Sequence, residues 1–219
     1  MIYLQRIFLE LLIVSRLEEL DLYKTIEVPS EVILFKEKNS KFFGYAFPVE
    51  SEEKVKTILE QIKKEHHSAR HWCYAFQLGI LNKAYYRAND DGEPNNTAGM
   101  PIYGQIQSFG VTNVLVVIVR YFGGVKLGVG GLISAYRTAA QMALEASEIV
   151  EKTIKVHFLI VFDYKNINKV MRIIKEKQLE IVSQNMEENC KIEIATRKKN
   201  ADMIFDIFDN LFEVEISIL

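Results

Sequence analysis

The sequence predicts an α+β chain built in two parts, and three observations lead there. Glycine and proline usage stops abruptly: all eleven glycines lie between Gly44 and Gly131, all four prolines between Pro29 and Pro101, and neither follows. Beyond that point, apolar residues recur with strand and helix periods in the order βαββαβ. Before it, an unbroken apolar strand runs into a glycine-dense loop and then a helix with a thin apolar stripe. The composition shift places a boundary near Val150 to Thr153. It divides the chain into an extension over 1–22, a first domain over 23–150 and a second over 151–219.

The opening segment, MIYLQRIFLELLIVSRLEELDL, is apolar but interrupted by Arg6, Glu10 and Arg16. It has no small-residue cleavage site and no uncharged window of membrane-spanning length. Leu4, Ile7, Phe8, Leu11, Leu12 and Val14 fall mostly on one helical face, which predicts an amphipathic helix in need of a partner surface. A translation start assigned too far upstream explains the same segment.

In the first domain, Glu31 to Phe35 and Lys41 to Val49 read as a strand pair joined across Glu37 to Ser40. Ser51 caps a helix whose first turn carries Glu52 and Glu53 and whose end carries Lys63 and Lys64, matching the macrodipole at both ends. Val55, Ile58, Leu59 and Ile62 form its core stripe. Strands follow at Trp72 to Ile80 and Ala84 to Ala88, then the turn-rich NDDGEPNNTAG, with Thr97 as a helix cap, and a short helix near Met100 to Ser108. Asn113 to Val119 reads as a strand buried on both faces, and Leu132 to Ser147 as the thin helix.

The second domain reads as strand Val156 to Asp163, a helix carrying Ile167, Val170, Met171 and Ile174, then strands Leu179 to Ser183 and Lys191 to Thr196 around a polar turn at Glu187 to Asn189. A helix carrying Ile204, Phe205, Phe208, Leu211 and Phe212 follows, and Val214, Ile216 and Ile218 alternate in a last strand. That order is the ferredoxin-like arrangement, which says little about activity.

Chemistry concentrates in Arg120 to Arg137, RYFGGVKLGVGGLISAYR. Gly123, Gly124, Gly128, Gly130 and Gly131 crowd a strand–loop–helix junction, an arrangement that aims backbone N–H groups at one point and suits phosphate. From Pro94 through Leu144 there is no Asp or Glu, and the formal charges are Arg120, Lys126 and Arg137, so the local field is positive. The P-loop pattern fails because Lys126 is followed by Leu127, and the dinucleotide fingerprint fails because its third glycine falls on Ile133. Clustered glycines serve close helix packing equally well.

Asp90 and Asp91 before Gly92 favour a tight turn, and Glu93-Pro94 an extended exit. These carboxylates either cap and shape the turn or face Arg120 or Lys126 across a groove. There they would pair with the cations, hold a divalent ion or engage a partner. His67 and His71 have metal-pair spacing but no supporting framework, so they read as hydrogen-bonding or surface histidines, with an acid/base role for His71 as the minor alternative. Cys73 and Cys190 sit in strand-like segments as buried thiols. The net charge of −2 excludes a protein that coats nucleic acid indiscriminately, and the absence of a disulfide framework or signal sequence predicts a cytoplasmic location. No catalytic motif, metal site or cofactor site is predicted.

The segments SKFFGYAFPV, ARHWCYAF, DDGEPNNTAGMP and GVTNVLVVIVRYFGGVKLGVGGLISAY, in this order and spacing, closely resemble the YigZ/IMPACT family over roughly Tyr23 to Val150. The remainder resembles the family's bacterial C-terminal domain, similar to ferredoxin-like domains of elongation factor G. The resemblance implies a first domain with the βα fold shared by a small-subunit ribosomal protein domain and small-metabolite kinases. It also implies a role connected with translation: eukaryotic relatives inhibit in the amino-acid-starvation branch by competing for a protein partner, and RNA or ribosome binding is proposed for bacterial ones. No catalytic residues come with it. The family-pattern positions are His71, Asp90, Asp91, Gly92, Glu93, Pro94, Thr97, Gly99, Arg120, Gly123, Gly124, Lys126 and Gly128. Asn96 stands where the family usually has glycine, and Asn tolerates the left-handed backbone that glycine supplies.

The expected function is that of a non-enzymatic regulator that binds RNA, the ribosome or a translation factor. The residues predicted to carry it are Arg120, Gly123, Gly124, Lys126, Gly128, Asp90, Asp91, Glu93 and His71. Two alternatives remain: an enzyme binding a small phosphorylated substrate or nucleotide with a divalent metal, and a pure protein-interaction module. No membrane partner is expected.

Overall fold

The computed structural model describes residues 21–187 and 189–219. The amphipathic helix expected over 1–22 lies outside the described residues except at its end, where Asp21 is a buried turn residue and Leu22 opens a strand. Contacts divide the chain into Tyr23–Lys152 and a second unit of Thr153–Leu219 with the described residues Asp21 and Leu22.

The first unit is organised on β6 (Val114–Tyr121). It is the middle strand of a five-stranded antiparallel sheet, flanked by β3 (Ser40–Pro48) and β4 (His71–Leu78), with β2 (Ile33–Glu37) and β5 (Tyr85–Asn89) at the edges. Its side chains alternate between two cores. Val114, Val116 and Ile118 meet α2 (Gly99–Phe109) and α3 (Gly128–Glu145), while Leu115, Val117 and Val119 meet α1 (Glu52–Glu65). That double burial is why the segment is apolar without interruption. A further strand pair, β1 (Leu22–Ile26) with β7 (Ile149–Thr153), is absent from the sequence reading, because LYKTI and IVEKT mix charge with apolar residues over only five positions each.

Local chemistry accounts for the connections. Lys38 and Asn39 both take positive φ, 43° and 66°, giving the two-residue hairpin turn between β2 and β3. Ser51 Oγ accepts the Lys54 amide at 3.3 Å, capping α1 as expected. The α3 helix begins at Gly128, four residues before the expected Leu132. Glycines carry no side chain, so that first turn leaves no hydrophobic stripe to read.

The second unit contains β8 (Lys155–Asp163), α4 (Ile167–Glu176), β9 (Glu180–Met186), β10 (Asn189–Arg197), α5 (Ala201–Asp209) and β11 (Val214–Ile218). Its sheet order, β11-β8-β10-β9, with antiparallel pairing throughout, is ferredoxin-like. Val170, Ile173, Ile174, Ile204 and Phe208 seal one sheet face against Phe158, Ile160, Ile192 and Ile194. Among the described residues, no helix is long and apolar enough to cross a membrane.

Candidate functional site

The acidic turn links β5 to α2. Asp90 organises it: its carboxylate accepts the amides of Asn96 at 2.8 Å, Ala98 at 2.9 Å and Gly99 at 2.8 Å. A full charge accepting several amides at a helix start is a strong cap. Thr97, expected in that role, instead donates its hydroxyl to the Pro94 carbonyl at 2.6 Å and holds the turn. Gly99 is required by proximity, since a Cβ there would lie 2.5 Å from the Asn89 nitrogen. Asn96 adopts φ of 61°, so the left-handed position survives its departure from the family pattern.

Asp91 and Glu93 tie the same turn to the sheet. Asp91 Oδ2 accepts the Trp72 amide at 2.8 Å, and its carbonyl accepts from His71 Nδ1 at 2.9 Å. Glu93 turns inward, where Oε1 accepts from Arg120 Nη1 at 2.6 Å and from the Tyr136 hydroxyl at 2.8 Å. His71 Nε2 stands 3.9 Å from the same oxygen. The Arg120 guanidinium also reaches Ser40 Oγ at 3.4 Å and lies over the rings of Phe42 and Phe122, at 5.5 and 5.6 Å. Burial pushes the Tyr136 hydroxyl well above its ordinary range, which keeps it a proton donor to Glu93. Burial likewise pushes the Cys73 thiol up, with Sγ 3.0 Å from the Asp90 carbonyl.

The expectation that Arg120 adds to an outward positive field is corrected here. Its side chain is 6% exposed and neutralised by Glu93. Strand parity is the cause: Arg120 shares the core face of Val116 and Ile118, and the inward turn of Glu93 supplies the charge that its burial requires. Of the remaining cations in the acid-free stretch, Lys126 and Arg137 are both exposed. Ser40, Phe42, Phe122 and Tyr136 join the site without being singled out by the sequence reading. Parity with Arg120 across β3 and β6 is the signal that points to Phe42.

The glycines divide by role. Gly123 packs: a Cβ there would lie 2.1 Å from the Asn39 carbonyl carbon, and its amide donates to Ser40 Oγ at 3.2 Å. Gly124 and Gly128 have φ of 85° and 73°, and a Cβ on either, or on Gly130, would meet nothing within 4 Å. Phe122, Val125, Lys126 and Val129 are exposed around them. The first turn of α3 contains no acid and its cap residue, Leu127, gives no side-chain hydrogen bond, so no side chain of the cap satisfies its first amides.

The three carboxylates of the turn therefore point to different partners rather than to one centre. Among the described residues, no group of three or more His, Cys, Asp or Glu side chains is placed to hold a metal. His67 is exposed, while His66 is buried on the opposite sheet face, bonded through Nε2 to Tyr45 Oη at 2.5 Å and through Nδ1 to Tyr121 Oη at 2.9 Å.

Residues 38–144, a span that includes the acidic turn and most of α3, match the Impact N-terminal domain. The chain is 33% identical over 178 residues to an IMPACT family member of Haemophilus influenzae, covering 80% of this chain and 86% of that one. It is 32% identical over 180 residues to IMPACT family member YvyE of Bacillus subtilis, covering 82% of each. Among solved structures, the crystal structure of a hypothetical protein superposes with a TM-score of 0.69 at 24% identity, over 91% of this chain and 98% of that one.

Proposed function

Because this chain belongs to the IMPACT family, we propose that it is a translation-associated regulatory protein that acts by binding RNA, the ribosome or a translation factor, without catalysis. The observation that supports this reading is the loop from Phe122 to Gly131. Its far end exposes backbone and Lys126 together, at a helix start with no internal cap. Gly130 makes the point most clearly. It has neither positive φ nor a close neighbour to require it, yet it occupies a helical turn where glycine is costlier than alanine by about 1 kcal/mol. Unhindered approach to the backbone is what such a residue provides.

The buried pair of Glu93 and Arg120 takes a supporting part in this reading. It anchors the end of β6 to the acidic turn, so the loop leaves from a fixed point. Co-sedimentation of the full chain with ribosomes across a salt series tests the proposal. Wild-type protein pellets at low salt and is released as salt rises, and Lys126→Ala weakens pelleting while lowering the salt slope by about one. An absence of wild-type pelleting at low salt, or an unchanged Lys126→Ala, refutes it.

A further inference from the structure

The sheet face beneath α1 carries a second feature, assembled by register rather than by sequence proximity. Lys36 on β2 lies directly opposite Lys41 on β3, and Lys41 lies opposite Tyr121 on β6. Exposed Arg70 immediately precedes β4, and its amide donates to the Arg120 carbonyl at 3.4 Å, which sets it beside Tyr121. The result is a row across four strands in which Lys36, Lys41 and Arg70 are exposed. The next row inward is Leu34, Phe43, Val119 and Trp72. Leu34 is exposed, and Phe43, Trp72 and Tyr121 are partly so, because a single helix covers this face.

We propose that these two rows form a binding surface for single-stranded RNA, with Lys36, Lys41 and Arg70 on phosphates and the Tyr121–Phe43 edge against bases. Like charges set opposite each other on neighbouring strands repel, so the Lys36–Lys41 pair costs the sheet stability unless an anion lies across it. Lysine on an edge strand guards against aggregation, which accounts for Lys36 but not for Lys41 on an inner strand. Neither lysine nor Arg70 has an ion pair among the described residues. With neighbouring strands about 4.8 Å apart, the cations span roughly 14 Å, room for a short single-stranded segment. Aromatic edges beside a cationic track are what sequence-tolerant single-strand binding uses.

This surface shares a class of partner with the loop above but none of its residues, so the two separate by experiment. Binding of a labelled single-stranded oligoribonucleotide to the full chain is followed by anisotropy across a salt series. A duplex of equal length and the fluorescence of the single tryptophan, Trp72, serve as further readouts. The Lys36→Ala/Lys41→Ala/Arg70→Ala variant, all exposed positions, weakens binding at least about tenfold at low salt and reduces the salt slope by about two. In the wild type, the oligonucleotide perturbs Trp72 emission, whereas Lys126→Ala leaves oligonucleotide binding unchanged. The proposal is overturned if the triple variant binds as wild type does with an unaltered melting temperature, if the duplex binds more tightly, or if neither nucleic acid binds at low salt. Loss of binding in Lys126→Ala alone assigns RNA to the loop and overturns this surface while sparing the earlier reading.

Discussion

Arg120 Nη1 and Glu93 Oε1 are 2.6 Å apart, on side chains only 6% and 4% exposed, joining the central strand to the acidic turn inside the first unit. Removing one partner leaves the other charge buried without compensation, which costs about 3–5 kcal/mol. Glu93→Gln keeps the shape and deletes the charge, so urea denaturation is expected to show a loss of that order. Replacing both partners by apolar residues, as in Glu93→Leu/Arg120→Met, recovers much of it. A Glu93→Gln protein within about 1 kcal/mol of wild type would mean the pair contributes little.

The same contact changes how binding variants are judged. Arg120→Ala loses ribosome pelleting through damage to the fold, whereas Lys126→Ala leaves the melting temperature unaltered, because Lys126 is exposed and bridges no carboxylate among the described residues. Melting curves recorded beside each sedimentation series distinguish the two routes. A fully stable Arg120→Ala that fails to pellet contradicts the supporting part assigned to this residue.

Substitutions at two glycines of this loop, Gly123 and Gly130, should move stability in opposite directions. Gly123→Ala forces a Cβ to within 2.1 Å of the Asn39 backbone and separates the β2–β3 turn from the loop, at a cost of about 1–3 kcal/mol. Gly130→Ala meets nothing and gains about 0.5–1 kcal/mol from helix propensity. Thermal unfolding of the two variants checks both signs, and a stabilised Gly123→Ala contradicts the packing role.

The parts of the fold legible in the sequence are those whose burial imposes a period. The run Asn113 to Val119 and the stripe Val55, Ile58, Leu59 and Ile62 announce β6 and α1 because each faces a core. The candidate site is less legible, for two physical reasons. Arg120 reads as surface because a charge is costly inside, yet its parity with Ile118 turns it inward, and only three-dimensional proximity to Glu93 makes that tolerable. Asp90 caps α2 from nine residues before Gly99, across a turn whose path no local pattern specifies. The cationic row is hidden for the same reason, since Lys36, Lys41 and Arg70 meet only through strand register.

Asp90 offers a further check. Asp90→Ala strips an acceptor from three amides at once and is expected to cost about 2–4 kcal/mol, whereas Asp90→Asn keeps one oxygen in place and costs less. Amide hydrogen exchange at Asn96, Ala98 and Gly99 should accelerate in step with the stability loss. Protection retained at all three in Asp90→Ala would show that another group caps the helix.

The pH dependence of stability is expected to carry a signature of His66. Burial lowers its pKa from the ordinary value, with the nearby Glu65 carboxylate opposing the shift to a smaller degree. Burial also raises the Tyr45 hydroxyl to about 12, so Tyr45 donates to Nε2 and the neutral ring donates from Nδ1 to Tyr121. Protonating Nε2 turns that acceptor into a second donor, so the Tyr45 hydroxyl must reverse to accept and the charged ring is held where burial disfavours it. The unfolded chain takes up this proton near pH 6.5 and the native chain only at lower pH, so stability falls as pH drops from about 6.5 through the native value and is level above it. His66→Gln retains one donor and one acceptor but does not titrate, so urea unfolding across this range should show a shallower acid-side decline than wild type. An identical decline in the two proteins would assign the proton uptake to other groups.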